Sequence, residues 1–221
     1  MKYCDLNIDL TQYRSVDQIK PIVDMLTIMS ISCVAIQIET QNVQEYLGIF
    51  RREGIDIFTR WTIQAKRWAE IAREVDNLRK KYDIIAVKPL TLETARRSAR
   101  SKNIDIVTIT PFTSRYMDKS QATLLKEHEN LAEVSLRPLL LNYKTRKDFY
   151  RVLRSILIIL RRAAAFNAPL IVTSGARSVF ELWHPKSIYS FLVTIGIPEN
   201  ICKQTLLYYP MKLINKIQYR L

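Results

Sequence analysis

The chain has 221 residues, 48% of them hydrophobic, with 34 Lys/Arg against 21 Asp/Glu and a formal net charge of +13. The apolar content is ample for a packed core, while the longest apolar runs, such as Ile156–Leu160, fall far short of the ~20 residues of a membrane span. The charge is unevenly spread: residues 1–50 hold three basic and six acidic side chains, residues 51–150 hold 21 and 13, and from Arg151 onward ten Lys/Arg face only Glu181 and Glu199. A compact protein gains no stability from such self-repulsion, so a polyanionic partner, nucleic acid foremost, is the natural reading.

Short apolar runs alternate with longer helical patterns along the chain. Strands are predicted at Tyr3–Leu10, Cys33–Ile38, Ile55–Ile63, Ile84–Lys88, Ile106–Ile109, Ala132–Leu136 and Leu170–Thr173. Helices are predicted between them at Val16–Ser30, Val43–Glu53, Ala65–Lys81, Leu92–Lys102, Lys119–Asn130 and Arg146–Asn167. Lys186–Ile195, Glu199–Tyr208 and Pro210–Gln218 follow the seventh strand, with no clear eighth. A strand–helix period of roughly 25–30 residues implies crossover connections and a parallel sheet. Several strands are nearly continuous apolar runs, as expected where helices cover the sheet. Seven such units suit an α/β TIM-barrel-like fold, irregular or incompletely closed because the chain is shorter than the usual ~250 residues. No Gly/Pro/Ser linker interrupts the pattern, so one barrel-like domain over 1–221 is expected.

The helix from Arg146 is the most legible. Phe149, Val152, Leu153, Ile156, Leu157, Ile159 and Leu160 form an apolar stripe. Lys147, Arg151, Arg154, Arg161 and Arg162 populate its other side almost without acid, unlike ordinary surface helices with i,i+4 Glu–Lys pairs.

Catalytic chemistry is sparse. His128 and His184 are the two histidines, and His128 sits among Lys126, Glu127 and Glu129 on a helical surface. No HxH, HExxH or Cys/His cluster holds metal-ligand spacing, and the four glycines stand alone, so no phosphate loop is expected. Asp9, Glu39 and Asp105 fall near strand ends, which leaves open a cation held by acids alone. Cys4, Cys33 and Cys202 form no CxxC pair and read as reduced core thiols of a cytosolic protein. The opening Met1-Lys2-Tyr3-Cys4-Asp5 has no signal-peptide pattern. The expectation is no catalytic residue and no bound metal.

Basic residues occupy the positions where a barrel enzyme keeps its active site. Arg60 lies in the third strand, Lys88 ends the fourth, Arg115 follows the fifth, Arg137 follows the sixth and Arg177 follows the seventh. Consecutive strand ends of a parallel barrel share one rim, so Lys88, Arg115, Arg137 and Arg177 should converge, with Arg60 joining only if its side chain leans that way. Such a rim suits a phosphate backbone. His184 and Lys186, flanking Pro185, are further candidate RNA contacts, and Tyr116 and Trp183 could stack on unpaired bases. The acidic first third, with Asp17, Asp24, Glu39 and Glu45, repels RNA and better suits a basic protein partner or solvent.

Several segments resemble, in order and spacing, the protein component 3 subunit of archaeal and eukaryotic ribonuclease P, the thirty-kilodalton subunit family. They are Tyr3-Cys4-Asp5-Leu6-Asn7, Val87-Lys88-Pro89-Leu90, Asn103–Thr108 with Asp105, Leu136-Arg137-Pro138-Leu139-Leu140, Ser174-Gly175-Ala176, and Pro185 with Gly196-Ile197 downstream. The resemblance runs along essentially the whole chain. Trp183 departs from it, standing where the family commonly has an arginine. The resemblance implies a barrel related to metal-dependent phosphoesterases, with Asn7 and Asp9 in place of their first histidine pair. It further implies an accessory, cytoplasmic subunit that binds and stabilises the ribonuclease P RNA, works beside protein component 2 and other components, and meets precursor tRNA indirectly. Magnesium would be required by the RNA, which makes the mature 5′ end of tRNA. The competing readings are a metal-dependent phosphoesterase on the same barrel and a scaffold protein of another ribonucleoprotein.

Overall fold

The computed structural model describes residues 2–39, 43–141 and 143–220. Seven strands form one parallel sheet in sequence order: β1 (Tyr3–Asp9), β2 (Ile31–Gln37), β3 (Asp56–Ala65), β4 (Ile84–Pro89), β5 (Ile106–Thr108), β6 (Leu131–Ser135) and β7 (Leu170–Thr173). The sheet curls until Ile8 bridges Ala176 beyond β7, where the Asp9 amide donates to the Ala176 carbonyl at 2.8 Å. The result is the nearly closed TIM-like barrel expected of the alternating pattern. All seven predicted strands are present, with no end moved by more than two residues.

The crossovers are α1 (Val16–Ile28), α2 (Val43–Arg52), α3 (Trp68–Arg79), α4 (Leu92–Arg100), α5 (Lys119–Glu127) and α6 (Arg146–Ala165). Their starts follow local chemistry. The hydroxyl of Thr91 accepts from the Thr94 amide at 3.2 Å, the Asp118 carboxylate from the Gln121 amide at 2.9 Å, and the Thr145 hydroxyl from the Asp148 amide at 3.2 Å. Each satisfies one of the amides a helix start leaves unpaired. Along α6, Val152, Ile156, Ile159, Leu160 and Ala163 are buried, and the five basic residues named above are exposed.

After β7 come α7 (Pro185–Thr194), α8 (Glu199–Lys203), a π turn over Gln204–Tyr208, and α9 (Tyr209–Gln218). Their arrangement was not evident from periodicity. Leu213, Ile214 and Ile217 of α9 pack with Leu6, Cys33, Phe58, Ile84, Ile106, Leu131 and Ile171. These are inward positions of all seven strands, so α9 closes the end of the barrel where the strands begin. Removing those side chains from water supplies the main stabilisation there, about 1.5–3 kcal/mol for each fully buried Leu, Ile or Phe. Among the described residues no helix is long and apolar enough to cross a membrane. Cys4, Cys33 and Cys202 are free, and Cys4 and Cys33 are register partners on β1 and β2.

Candidate nucleic-acid interface at the barrel mouth

The barrel interior is layered along its axis. Above the apolar floor lies an ionic waist. Arg60 of β3 points inward and is 1% exposed, and its terminal nitrogens meet the two carboxylate oxygens of Glu133 of β6 at 2.7 and 2.6 Å. It also donates to the Leu6 carbonyl, and its Nε to the Thr62 hydroxyl at 3.2 Å. Thr108 and Thr173 donate to the same carboxylate at 2.6 and 2.9 Å. Burial pushes the Glu133 carboxyl toward the neutral form, but the Arg60 charge and these hydrogen bonds outweigh it and hold the group below its usual range. A buried pair with every oxygen partnered is the condition under which charge survives in a core.

Arg60 lines the bottom of the mouth cavity, but it lies below the rim and both its terminal nitrogens are engaged by Glu133. Glu133 escaped sequence reasoning, although a lone carboxylate within the apolar run Leu131-Ala132-Glu133-Val134 was the available signal.

The mouth opens above the waist as a cavity of about 480 Å³. Lys88 from β4, Arg137 from the turn after β6 and Arg177 from the loop after β7 all line it, as do Asn7, Asp9, Gln37, Thr62 and Gln64. Three of the four rim cations therefore converge. Arg115 does not line this cavity; it sits exposed on the 3-10 turn Pro111–Tyr116, its guanidinium 5.6 Å from the Tyr116 ring centre. Nor do His184 and Lys186, which lie at the start of α7, where the His184 Nδ1 accepts from the Lys186 amide at 3.1 Å. That contact caps the helix.

The rim arginines are partly neutralised. Arg137 pairs through Nε with Glu181 at 2.9 Å, and Arg177 through Nε with Asp9 at 2.9 Å. Glu181 also accepts from the Arg177 amide at 2.7 Å, so one carboxylate ties both arginine-bearing loops together. No hydrogen bond among the described residues uses the terminal nitrogens of either arginine, which leaves both forks able to donate. Lys88 makes no ion pair among the described residues.

The Ser174-Gly175-Ala176 turn sets the spacing of this rim. Gly175 has φ +64°, and a Cβ there would lie 2.0 Å from the Ser135 hydroxyl. The Ser135 hydroxyl donates to the Ser174 carbonyl at 3.2 Å, and the Arg137 amide to the same carbonyl at 2.8 Å. Only a residue without a side chain permits this close approach.

The expected stacking aromatics are not at the mouth. Tyr116 is 4% exposed, with its hydroxyl on the Leu90 carbonyl at 3.1 Å, and Trp183 packs against Phe191 beside the core. Phe112 takes their place, lining the cavity with its side chain 87% exposed.

The donor set at the mouth does not fit a metal ion. Asp9 engages the Thr11 amide and hydroxyl at 3.2 and 2.7 Å with one oxygen and Arg177 with the other, and Glu133 is fully engaged below. Asn7 offers only a neutral amide. Among the described residues no group of three or more His, Cys, Asp or Glu could hold a metal.

By structure, the chain is similar to a subunit of an archaeal ribonuclease P solved with mature tRNA, with a TM-score of 0.79, 18% identity, and coverage of 97% of this chain and 91% of that one. It also resembles a Xaa-Pro dipeptidase, with a TM-score of 0.62, 12% identity, and coverage of 97% and 75%. These establish a shared barrel. By sequence, it is 29% identical over 166 residues to ribonuclease P protein component 3 of Aeropyrum pernix, covering 74% of this chain and 76% of the relative. It is 28% identical to the component 3 of Methanothermobacter thermautotrophicus, covering 69% of this chain and 62% of that protein. The family model for RNase P subunit p30 matches residues 2–221. With that match running from the start of β1 to beyond α9, the chain belongs to the ribonuclease P subunit p30 family.

Proposed function

We propose that this chain is an accessory protein subunit of ribonuclease P, which binds and stabilises the catalytic RNA and contributes no catalytic group of its own. The family match over residues 2–221 carries the reading. The mouth supports it: Lys88, Arg137 and Arg177 share its lining with neutral polar groups and with apolar side chains such as Ile109, Phe112 and Leu141, and the carboxylate in the lining, Asp9, is bound to Arg177 and Thr11. The RNA would then cleave precursor tRNA to the mature 5′ end and hold the magnesium required. Protein component 2 and the other components of a cytoplasmic particle would be its protein partners, and precursor tRNA would be met through the RNA.

The mechanism follows from charge and rigidity. A large folded RNA repels itself. Lys88, Arg137 and Arg177 on a stiff rim offset that repulsion at fixed points and release bound counterions. A protein that prefers the active RNA fold shifts the population toward it, tenfold for each ~1.4 kcal/mol of preference.

Reconstitution tests this. Precursor-tRNA cleavage by the RNA and the other components should need more magnesium when this chain is left out. The purified chain with magnesium or manganese should not hydrolyse a generic phosphodiester; turnover by the chain alone would instead establish the phosphoesterase reading.

A further inference from the structure

The opposite pole of the barrel carries a second basic site. Lys80 and Lys81 from the turn after α3, Lys102 from the turn after α4, and Arg79 and Arg220 line a cavity of about 430 Å³ there. The two arginines are held in place from below. Asp105, at the head of β5 with its side chain wholly buried, takes Arg79 on one oxygen at 2.6 Å and Arg220 on the other at 3.0 Å, while the Ile85 amide donates at 2.9 Å. One carboxylate thus anchors two guanidiniums and leaves them a net positive charge. Asp83 is the acid in the lining, and its carboxylate accepts from the Thr59 amide and hydroxyl at 2.7 and 2.8 Å. Lys80, Lys81 and Lys102 are exposed and take part in none of the ion pairs among the described residues. The basic surface continues onto α9, where Lys212 and Lys216 stand one turn apart, about 6 Å along the axis, with Lys212 paired to Glu129 at 3.1 Å.

We propose that this basal cavity is a second RNA-binding site, which takes the phosphate backbone of a segment different from the one at the mouth. The inference rests on the accessory-subunit reading above. Three unpaired lysines and two anchored arginines suit phosphates, whereas a protein partner would call for an apolar centre. The lining offers little of that, with Ile217 buried in the barrel floor and Tyr82 half-covered. The poles are separated by the length of β4, about 20 Å for its six residues, so they reach different stretches of a folded RNA. The chain then acts as a strut that fixes the distance between two RNA elements.

The test uses the full chain and the ribonuclease P RNA of the same organism. Affinity is measured against salt for wild type, a basal K80A/K81A/K102A variant and a mouth R137A/R177A variant, with hydroxyl-radical footprinting of each complex. The basal variant should lose about tenfold or more in affinity and roughly 2 units of log–log salt slope, at about 0.7–0.9 per phosphate contact. It should also lose protection at nucleotides that the mouth variant still protects, and Lys102→Ala alone should show part of the slope change. An unchanged slope and footprint in the basal variant, with wild type binding normally, overturns the basal site and leaves the accessory reading standing. Loss of protein component 2 from that variant, with RNA binding intact, overturns it in favour of a protein surface. Failure of wild type to bind the RNA overturns both.

Discussion

Arg60 and Glu133 face each other across the barrel axis through two parallel hydrogen bonds, at 2.7 and 2.6 Å, with both side chains essentially out of water. The strands that carry them, β3 and β6, are not neighbours in the sheet. The pair therefore ties opposite walls of the barrel together. It also engages the Arg60 guanidinium below the rim, where it cannot act as Lys88 does.

Breaking this pair should destabilise the fold far more than losing a surface bridge. Glu133→Gln leaves a buried guanidinium without its counter-charge, and a loss of about 3–5 kcal/mol is expected in urea denaturation. The double replacement R60M/E133L should cost less than the sum of R60M and E133L, since neither charge is then stranded. Simple additivity would mean the two groups do not act as a unit.

At the mouth, R137A/R177A should weaken RNA binding and flatten its salt dependence by roughly 0.7–0.9 log–log units per lost phosphate contact. The change also frees Asp9 and Glu181 to repel phosphate, so the affinity loss should exceed that of Arg115→Ala, which lies outside the cavity. Salt titration of binding reads both effects, and equal slopes in wild type and the double variant would remove the rim from the interface.

Gly175→Ala should act on shape rather than charge. The new methyl meets the Ser135 hydroxyl at 2.0 Å, and the backbone there is left-handed. A cost of ~2 kcal/mol or more is expected from the φ penalty and the clash combined. Because the Ser174 carbonyl holds the Arg137 amide, RNA affinity should fall although no charge has changed. Thermal melting together with a binding titration separates the two effects.

Asp5 makes stability depend on pH. Burial pushes its carboxyl up to about 6 from an ordinary 3.8, against partial relief from Ser174 and the Asn7 amide. The folded state therefore holds the proton more tightly than the unfolded chain. The group's favourable contribution is complete below about pH 3.8 and is lost as pH rises through about 6. Two pH units correspond to about 3 kcal/mol. Asp5→Asn should escape this loss, so its stability relative to wild type should climb between pH 4 and 7 in matched urea titrations. Parallel curves would show that Asp5 is ionised in the fold without cost.

The strands and crossover helices were legible because each writes its own period into the chain: Ile84–Val87 and Leu170–Val172 as unbroken apolar runs, α6 as a stripe every three to four residues. Direction and pairing were not. Arg60 and Lys88 both read as cations on strands, yet one is tied to Glu133 at the bottom of the mouth and the other lines the mouth without an ion pair among the described residues. The difference depends on Glu133, 73 residues away from Arg60. The pairing of Arg177 with Asp9 and of Arg137 with Glu181 likewise needs the closed barrel to bring distant loops together. Trp183 and Tyr116 looked available for stacking because composition cannot tell an aromatic on the rim from one beneath it. The basic pole at the strand starts stayed hidden because Lys80–Lys81 and Lys102 belong to two separate turns and meet Arg220 only once α9 has crossed the barrel floor.

The apolar plug contributed by Leu213, Ile214 and Ile217 makes the barrel a cup and not a tunnel. No strand of nucleic acid can thread through it, and nothing that enters at the brim can leave by the other end. A polynucleotide held at the mouth would lie across the brim, so the protein could be lifted off an RNA sideways without a free end ever being required.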